Sequence, residues 1–155
     1  MTKAIPEGYT SVTPYAVFKD VRKAIEFYKR ALGGEEQFAI SGPDGKGIMH
    51  AEIRIGNATI MMGEENPQHG FKSAETSGGS PVGFYVYLEN VDEAFKRALE
   101  AGAKALMPIQ DMFWGDRTGT VEDPFGYKWT LATHVKDMTM EEIRQGAQGA
   151  CAKME

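Results

Sequence analysis

A single cysteine, Cys151, is present in 155 residues, so no internal disulfide can form and the core must hold by packing. There is no uninterrupted apolar run of the roughly 20 residues that a bilayer span needs. The opening Met1-Thr2-Lys3-Ala4-Ile5-Pro6-Glu7 has no apolar segment, so no secretory signal is expected. Positive charge is scarce and scattered. The 17 Lys and Arg stand against 22 Asp and Glu, for a net charge of −5. Without a basic cluster, nucleic acid and anionic membrane are poor candidate partners. No Gly-rich phosphate loop of either standard spacing occurs. Ser41, Ser73, Ser77 and Ser80 lie in loop-like stretches without a nucleophile elbow. Cys151 has no base near it in sequence, which disfavours a thiol nucleophile. These absences leave the expectation of a cytoplasmic protein with no nucleic-acid or membrane partner, long enough for one packed domain.

What is present is a repeat. Residues Tyr15 to Ala31 return in kind and order 70 positions later: Tyr15 as Tyr85, Val21 as Val91, Ala24 as Ala94 and Ala31 as Ala101. The same offset pairs Glu52 with Glu122 and Gly56 with Gly126. A repeat of this length is one supersecondary unit used twice. Hydrophobic content of 42% and charged content of 25% are ordinary globular values.

Each unit opens with a strand and a helix. Val12–Phe18 and Val82–Leu88 are rich in β-branched and aromatic residues and alternate, as strands do. Asp20 and Asn90 are suited to cap the helices that follow. Val21, Ala24, Ile25, Tyr28, Ala31 and Leu32 form one helical stripe; Val91, Ala94, Phe95, Ala98 and Leu99 form the other. Gly33-Gly34 and Gly102 end them. Three strands are predicted after each helix: Glu36–Ile40, Ile48–Ile55 and Ala58–Met62, then Lys104–Ile109, Thr118–Glu122 and Lys128–His134. The expected class is α+β, two βαβββ units forming a curved mixed sheet around a cleft. One domain is predicted, with the first unit at 9–64, a polar Gly/Ser-rich connector at 65–80, the second unit at 81–135 and a helical tail at 136–155. In that tail Thr139 and Glu142 make a capping box. Ile143, Ala147, Ala150 and Met154 share one face.

The doubled βαβββ pattern, with Phe113-Trp114-Gly115-Asp116-Arg117, Glu122-Asp123-Pro124-Phe125-Gly126-Tyr127-Lys128-Trp129-Thr130 and Met49-His50-Ala51-Glu52, resembles the vicinal oxygen chelate superfamily and its PhnB-like branch. That group includes glyoxalase I, extradiol dioxygenases, and bleomycin and fosfomycin resistance proteins. The resemblance implies a divalent-metal site with ligands from the first and last strand of each unit. Counting from helix starts and turn glycines, those positions fall at Thr13, Ile60, Gly83 and Thr130. None offers imidazole, carboxylate or amide, so no metal and no cofactor is expected.

Alternation places His50, Glu52 and Arg54 on the cleft face of their strand, with Ala51, Ile53 and Ile55 on the other. His50 and Glu52 are candidates for an acid/base pair, or, with Glu122, for a relocated metal set. The plainer alternative pairs Glu52 with Arg54 or another cation. Tyr15, Tyr85, Tyr87 and Thr130 are expected to line the cleft. Trp114 is suited to stack on a planar ligand and Arg117 to hold a carboxylate or phosphate. The alternative is that Asp116 and Arg117 pin their loop. The expected function is metal-independent binding of a small, partly aromatic organic molecule, by a homodimer. A metal-dependent lyase, isomerase or dioxygenase is the competing expectation, and an adaptor that works through its tail helix the third.

Overall fold

Helix caps set the frame. In a computed structural model, which describes residues 1–153, Asp20 accepts the Lys23 backbone N–H at 3.0 Å and starts α1 (Val21–Leu32). Gly33, at φ 66°, closes it by donating to the Tyr28 carbonyl. Asn90 and Gly102 do the same for α3 (Val91–Ala101). These side-chain caps satisfy donors the helix cannot satisfy itself, at about 1 kcal/mol each.

In chain order the elements are β1 (Tyr15–Phe18), α1, β2 (Glu35–Ser41), β3 (Ile48–Ile55), β4 (Ala58–Glu64), α2 (Ala74–Ser77), β5 (Phe84–Tyr87), α3, β6 (Lys104–Asp111), β7 (Asp116–Glu122), β8 (Lys128–His134) and α4 (Met140–Cys151). The first strand of each unit starts later than the alternation predicts. Pro14 lacks an N–H, and Pro81 precedes β5. The connector holds a 3-10 turn (Pro67–His69) and the short α2.

The strands divide into two four-stranded sheets, ordered β1-β4-β3-β2 and β5-β8-β7-β6. In each, the first and last strands of the unit run parallel, and the other pairs are antiparallel. The ladders refine the repeat. Tyr15 stands beside Met61 and Tyr85 beside Thr130. Met61 pairs with Glu52, whereas Thr130 pairs with Thr120. The spatial counterpart of Glu52 is therefore Thr120, not Glu122, and that of Thr130 is Met61, not Ile60. The cause is loop length. A two-residue turn (Gly56-Asn57) joins β3 to β4, and a five-residue loop (123–127) joins β7 to β8. The 70-residue offset holds through the helices and slips afterwards.

One face of each sheet is covered by helix. Ile25, Tyr28, Phe18, Ile53 and Met62 are fully buried in the first unit, and Val91, Val121 and Leu131 in the second. Each such side chain contributes about 1.5–3 kcal/mol relative to exposure. α1 and α3 pack against each other, so the units share their core. Its polar centre is Asp123, 3% exposed. One oxygen accepts the N–H groups of Phe125 and Tyr127, both at 2.9 Å. The other accepts Trp129 Nε1 at 2.9 Å and the Tyr28 hydroxyl of the first unit. Trp129 also stacks on Phe84 at 4.4 Å. Tyr127 crosses back as well, donating to the Val17 carbonyl at 2.8 Å and accepting the Val17 N–H.

The Thr139–Glu142 capping box starts α4 as expected. Gly146 lies against Phe113, where an added Cβ would come within 2.7 Å of the Phe113 Cβ. Met154, expected on the apolar face of this helix, lies outside the described residues. No described helix is long and apolar enough to cross a membrane.

Candidate functional site

The faces away from the helices stay open in the single chain. On the second sheet, Tyr85 and Tyr87 leave β5 on the open face, 46% and 60% exposed. Their ring centroids are 5.3 Å apart. Two strands away, β7 begins at Asp116, which is 3% exposed. Its Oδ2 accepts Tyr85 Oη at 2.7 Å, Tyr87 Oη at 2.9 Å and Trp114 Nε1 at 3.1 Å. Its Oδ1 lies 2.8 Å from His134 Nδ1, and His134 Nε2 lies 2.9 Å from Asp137. Asp116 and His134 are opposite each other in the ladder, which is why one carboxylate can gather groups from β5, β8 and the loop before β7.

The electrostatics follow from that crowding. Burial pushes the Asp116 carboxyl up, but the donations from His134, Tyr85, Tyr87 and Trp114 outweigh it and hold it below the ordinary value. Burial, then donation to Asp116, pushes the Tyr85 phenol up to about 12. Hydrogen bonding to Asp116 and then Asp137 raises His134 above its usual value of 6.5. The shared hydrogen bonds thus favour the charged form of both Asp116 and His134. With its lone pairs engaged in this way, Asp116 orients the aromatic groups rather than acting as a base.

Thr130 shares the open face and sits 3.2 Å from Thr120, Oγ1 to Oγ1. Arg117 does not join the cluster. It faces the helix side, forks onto Asp92 with Nε and Nη2 both at 2.9 Å, and reaches Asp111 with Nη1 at 2.9 Å. Its pairing with Asp92, then Asp111, raises the guanidinium further. It pins α3 to the β6–β7 hairpin through Asp92 and Asp111, whereas the alternative drawn from sequence had it pin its loop together with Asp116. Asp116, expected at most as its loop partner, is the centre of the site. The signal was available: if β7 begins two residues earlier than predicted, alternation puts Asp116 on the face of Thr118 and Thr120.

On the first sheet, Glu52 is 3% exposed. Its Oε1 lies 3.1 Å from His50 Nε2, and its Oε2 accepts the hydroxyl of Tyr9. That donation raises the Tyr9 phenol above its ordinary value. The His50 ring lies 5.7 Å from Tyr15 and 5.8 Å from Phe38, centroid to centroid. His50 and Glu52 thus come together as alternation predicts. Glu122 does not join them. It lies at the end of β7 in the other sheet, opposite Lys128. Tyr9 opens the first unit as drawn from sequence but lies ahead of its first strand, where alternation fixes no face, and sequence reasoning missed it for that reason.

Donor chemistry at the expected metal positions does not fit a divalent ion. Ile60 points into the core at 5% exposure. Its neighbour Met61 takes the open-face position and brings only a thioether. Thr13 and Gly83 precede their strands. Among the described residues, no three His, Cys, Asp or Glu side chains gather closely enough to hold a metal ion.

Comparison with known proteins places the fold. An uncharacterized protein of Mycobacterium bovis, Mb0911c, is 40% identical over 137 residues, covering 86% of this chain and 90% of that protein. YjdN of Escherichia coli is 30% identical over 144 residues, covering 77% of this chain and 92% of its own length. Among solved structures, TioX from Micromonospora sp. ML1 superposes with a TM-score of 0.63 at 25% identity, over 84% of this chain and all (100%) of that one. The fosfomycin resistance protein FosX from Listeria monocytogenes shares the fold at TM-score 0.60 and 17% identity, over 86% of this chain and 97% of its own. A PhnB protein from Bacillus cereus does so at 0.60 and 16%, over 80% and 99%. The family model for the Glyoxalase/Bleomycin resistance protein/Dioxygenase superfamily matches residues 12–131. The chain belongs to that superfamily.

Proposed function

We propose that this protein binds a small, partly aromatic organic molecule on the open faces of its sheets, without a metal, as a cytoplasmic homodimer. The observation that carries the reading is the buried Asp116 ringed by Tyr85, Tyr87 and Trp114. Three aromatic groups are held in fixed orientation by one carboxylate, with the two tyrosine rings exposed and the Trp114 ring half-buried. A rigid aromatic surface loses little entropy on binding and suits a flat organic ligand. Thr130 adds a hydroxyl beside it. The net charge of −5 disfavours nucleic acid and anionic membrane as partners.

Titrating a panel of aromatic compounds while following melting temperature and tryptophan fluorescence tests this. Saturable binding without turnover is expected. Trp114→Ala should weaken it by about 10- to 100-fold, the loss of one stacking contact and its indole N–H. If no compound in the panel binds, or if affinity ignores Trp114, the reading fails. Elemental analysis of the purified protein checks the other half: a stoichiometric divalent metal would return His50 and Glu52 to consideration as ligands.

A further inference from the structure

Residues ahead of β1 form no helix or strand, yet they do not simply trail away. Tyr9 N–H closes a turn onto the Pro6 carbonyl at 3.2 Å, and the Tyr9 hydroxyl is delivered to Glu52 on the open face of the first sheet. Gly8, at φ 84°, lies against the next residue along that face. A Cβ added to it would stand 3.4 Å from Arg54 Nη2. The Arg54 Nε is buried and has no hydrogen-bond partner among the described residues. Such orphaned buried donors are rare in folded proteins and ask for an explanation. Glu35 stands opposite Arg54 in the β2–β3 ladder, but leaves that N–H unpaired. Glu7, Tyr9, Phe38, Glu52, Arg54 and Thr59 are among the residues that line a cavity of about 260 Å³ at this spot.

The spacing defines what fits. Glu52 and Arg54 are two residues apart on β3, so their side chains share a face about 7 Å apart. One end accepts a phenol, as it accepts Tyr9. The other offers a guanidinium N–H, which favours a carboxylate. A benzene ring with hydroxyl and carboxylate at opposite ends spans the two, and the half-exposed Phe38 ring walls the path between them. We propose that this end of the first sheet binds a para-hydroxyaryl carboxylate, and that Tyr9 occupies the phenol position when no ligand is bound. The inference rests on the reading of the open faces as ligand-binding surfaces. It makes the N-terminal segment an internal competitor.

Isothermal titration of 4-hydroxybenzoate into the full chain, with benzoate as the probe that lacks the hydroxyl, is the test. Tyr9→Phe should bind 4-hydroxybenzoate about tenfold more tightly than wild type, since one competing hydrogen bond is gone. Arg54→Gln should weaken binding at least tenfold, and benzoate should bind more weakly than 4-hydroxybenzoate. Equal affinity in wild type and Tyr9→Phe would remove the competitor role. Undiminished binding to Arg54→Gln, or no binding to any variant, would overturn the site. If the aromatic panel binds while 4-hydroxybenzoate does not, this proposal falls and the broader one stands; if nothing in the panel binds, both fall.

Discussion

Asp116 and Glu52 are each 3% exposed, and neither has a lysine or arginine partner among the described residues. What offsets their burial is a set of phenol, indole and imidazole donors. At Asp116 this makes a pH response with two limbs. The His134 value is raised in the folded state, first by Asp116 and then by Asp137. Its stabilisation is therefore complete below the unfolded value of 6.5 and is lost as pH rises through the raised one. Asp116 is lowered, so its contribution is complete above its ordinary 3.8 and fades as pH falls through the lowered value. The midpoint of urea unfolding should consequently decline from pH 6 toward pH 9, and His134→Gln should flatten that decline. Parallel slopes in wild type and variant would show that His134 is not the titrating group. Of the site residues, Tyr85, Tyr87 and Thr130 were legible because strand alternation fixes a face. Arg117 was not. It lies one residue beyond Asp116, hence on the opposite face, and only the true start of β7 settles which is which.

Helices were the most legible elements, since caps and apolar stripes are local signals. Strand pairing was less so. A single extra residue in a hairpin loop changes the partner of every residue after it, and nothing in either strand announces this. The tail helix poses a sharper question, because α4 buries no residue fully and touches the body at Gly146 and Phe113. Replacing Gly146 with Ala sets two effects against each other. Helix propensity improves by about 1 kcal/mol. Against that, the new methyl group would overlap the Phe113 Cβ, and forced overpacking costs about 1–3 kcal/mol. The overlap involves an atom next to the backbone, which cannot swing away, so the clash should win. Gly146→Ala should release α4 and speed limited proteolysis after Lys136. Slower cleavage would mean that α4 gains more from propensity than it loses in docking.

For the molecule as a whole, the open faces of both sheets leave apolar side chains uncovered. Ile40 is 46% exposed opposite His50, and Met107 is 51% exposed opposite Thr120. Apolar surface left open on a sheet face is suited to association. The proposed homodimer would bury it. Light scattering should then give twice the chain mass of 17.1 kDa, and the double variant Ile40→Glu, Met107→Glu should return it to one. A wild-type mass of a single chain would sink the dimer while leaving the aromatic site in place.

The hub at Asp123 has a different consequence. Tyr28 lies in the first unit, and Trp129 and the loop N–H groups lie in the second, yet all four donors serve one carboxylate. The units have diverged into non-interchangeable halves of a lock, although their helices still read as copies. If the polypeptide were severed in the exposed stretch between them, neither fragment would have a complete interior, because one would carry an unmatched phenol and the other a carboxylate short of one of its four donors. Mixed together, the fragments would reassemble as a pair, while two copies of the same fragment would not.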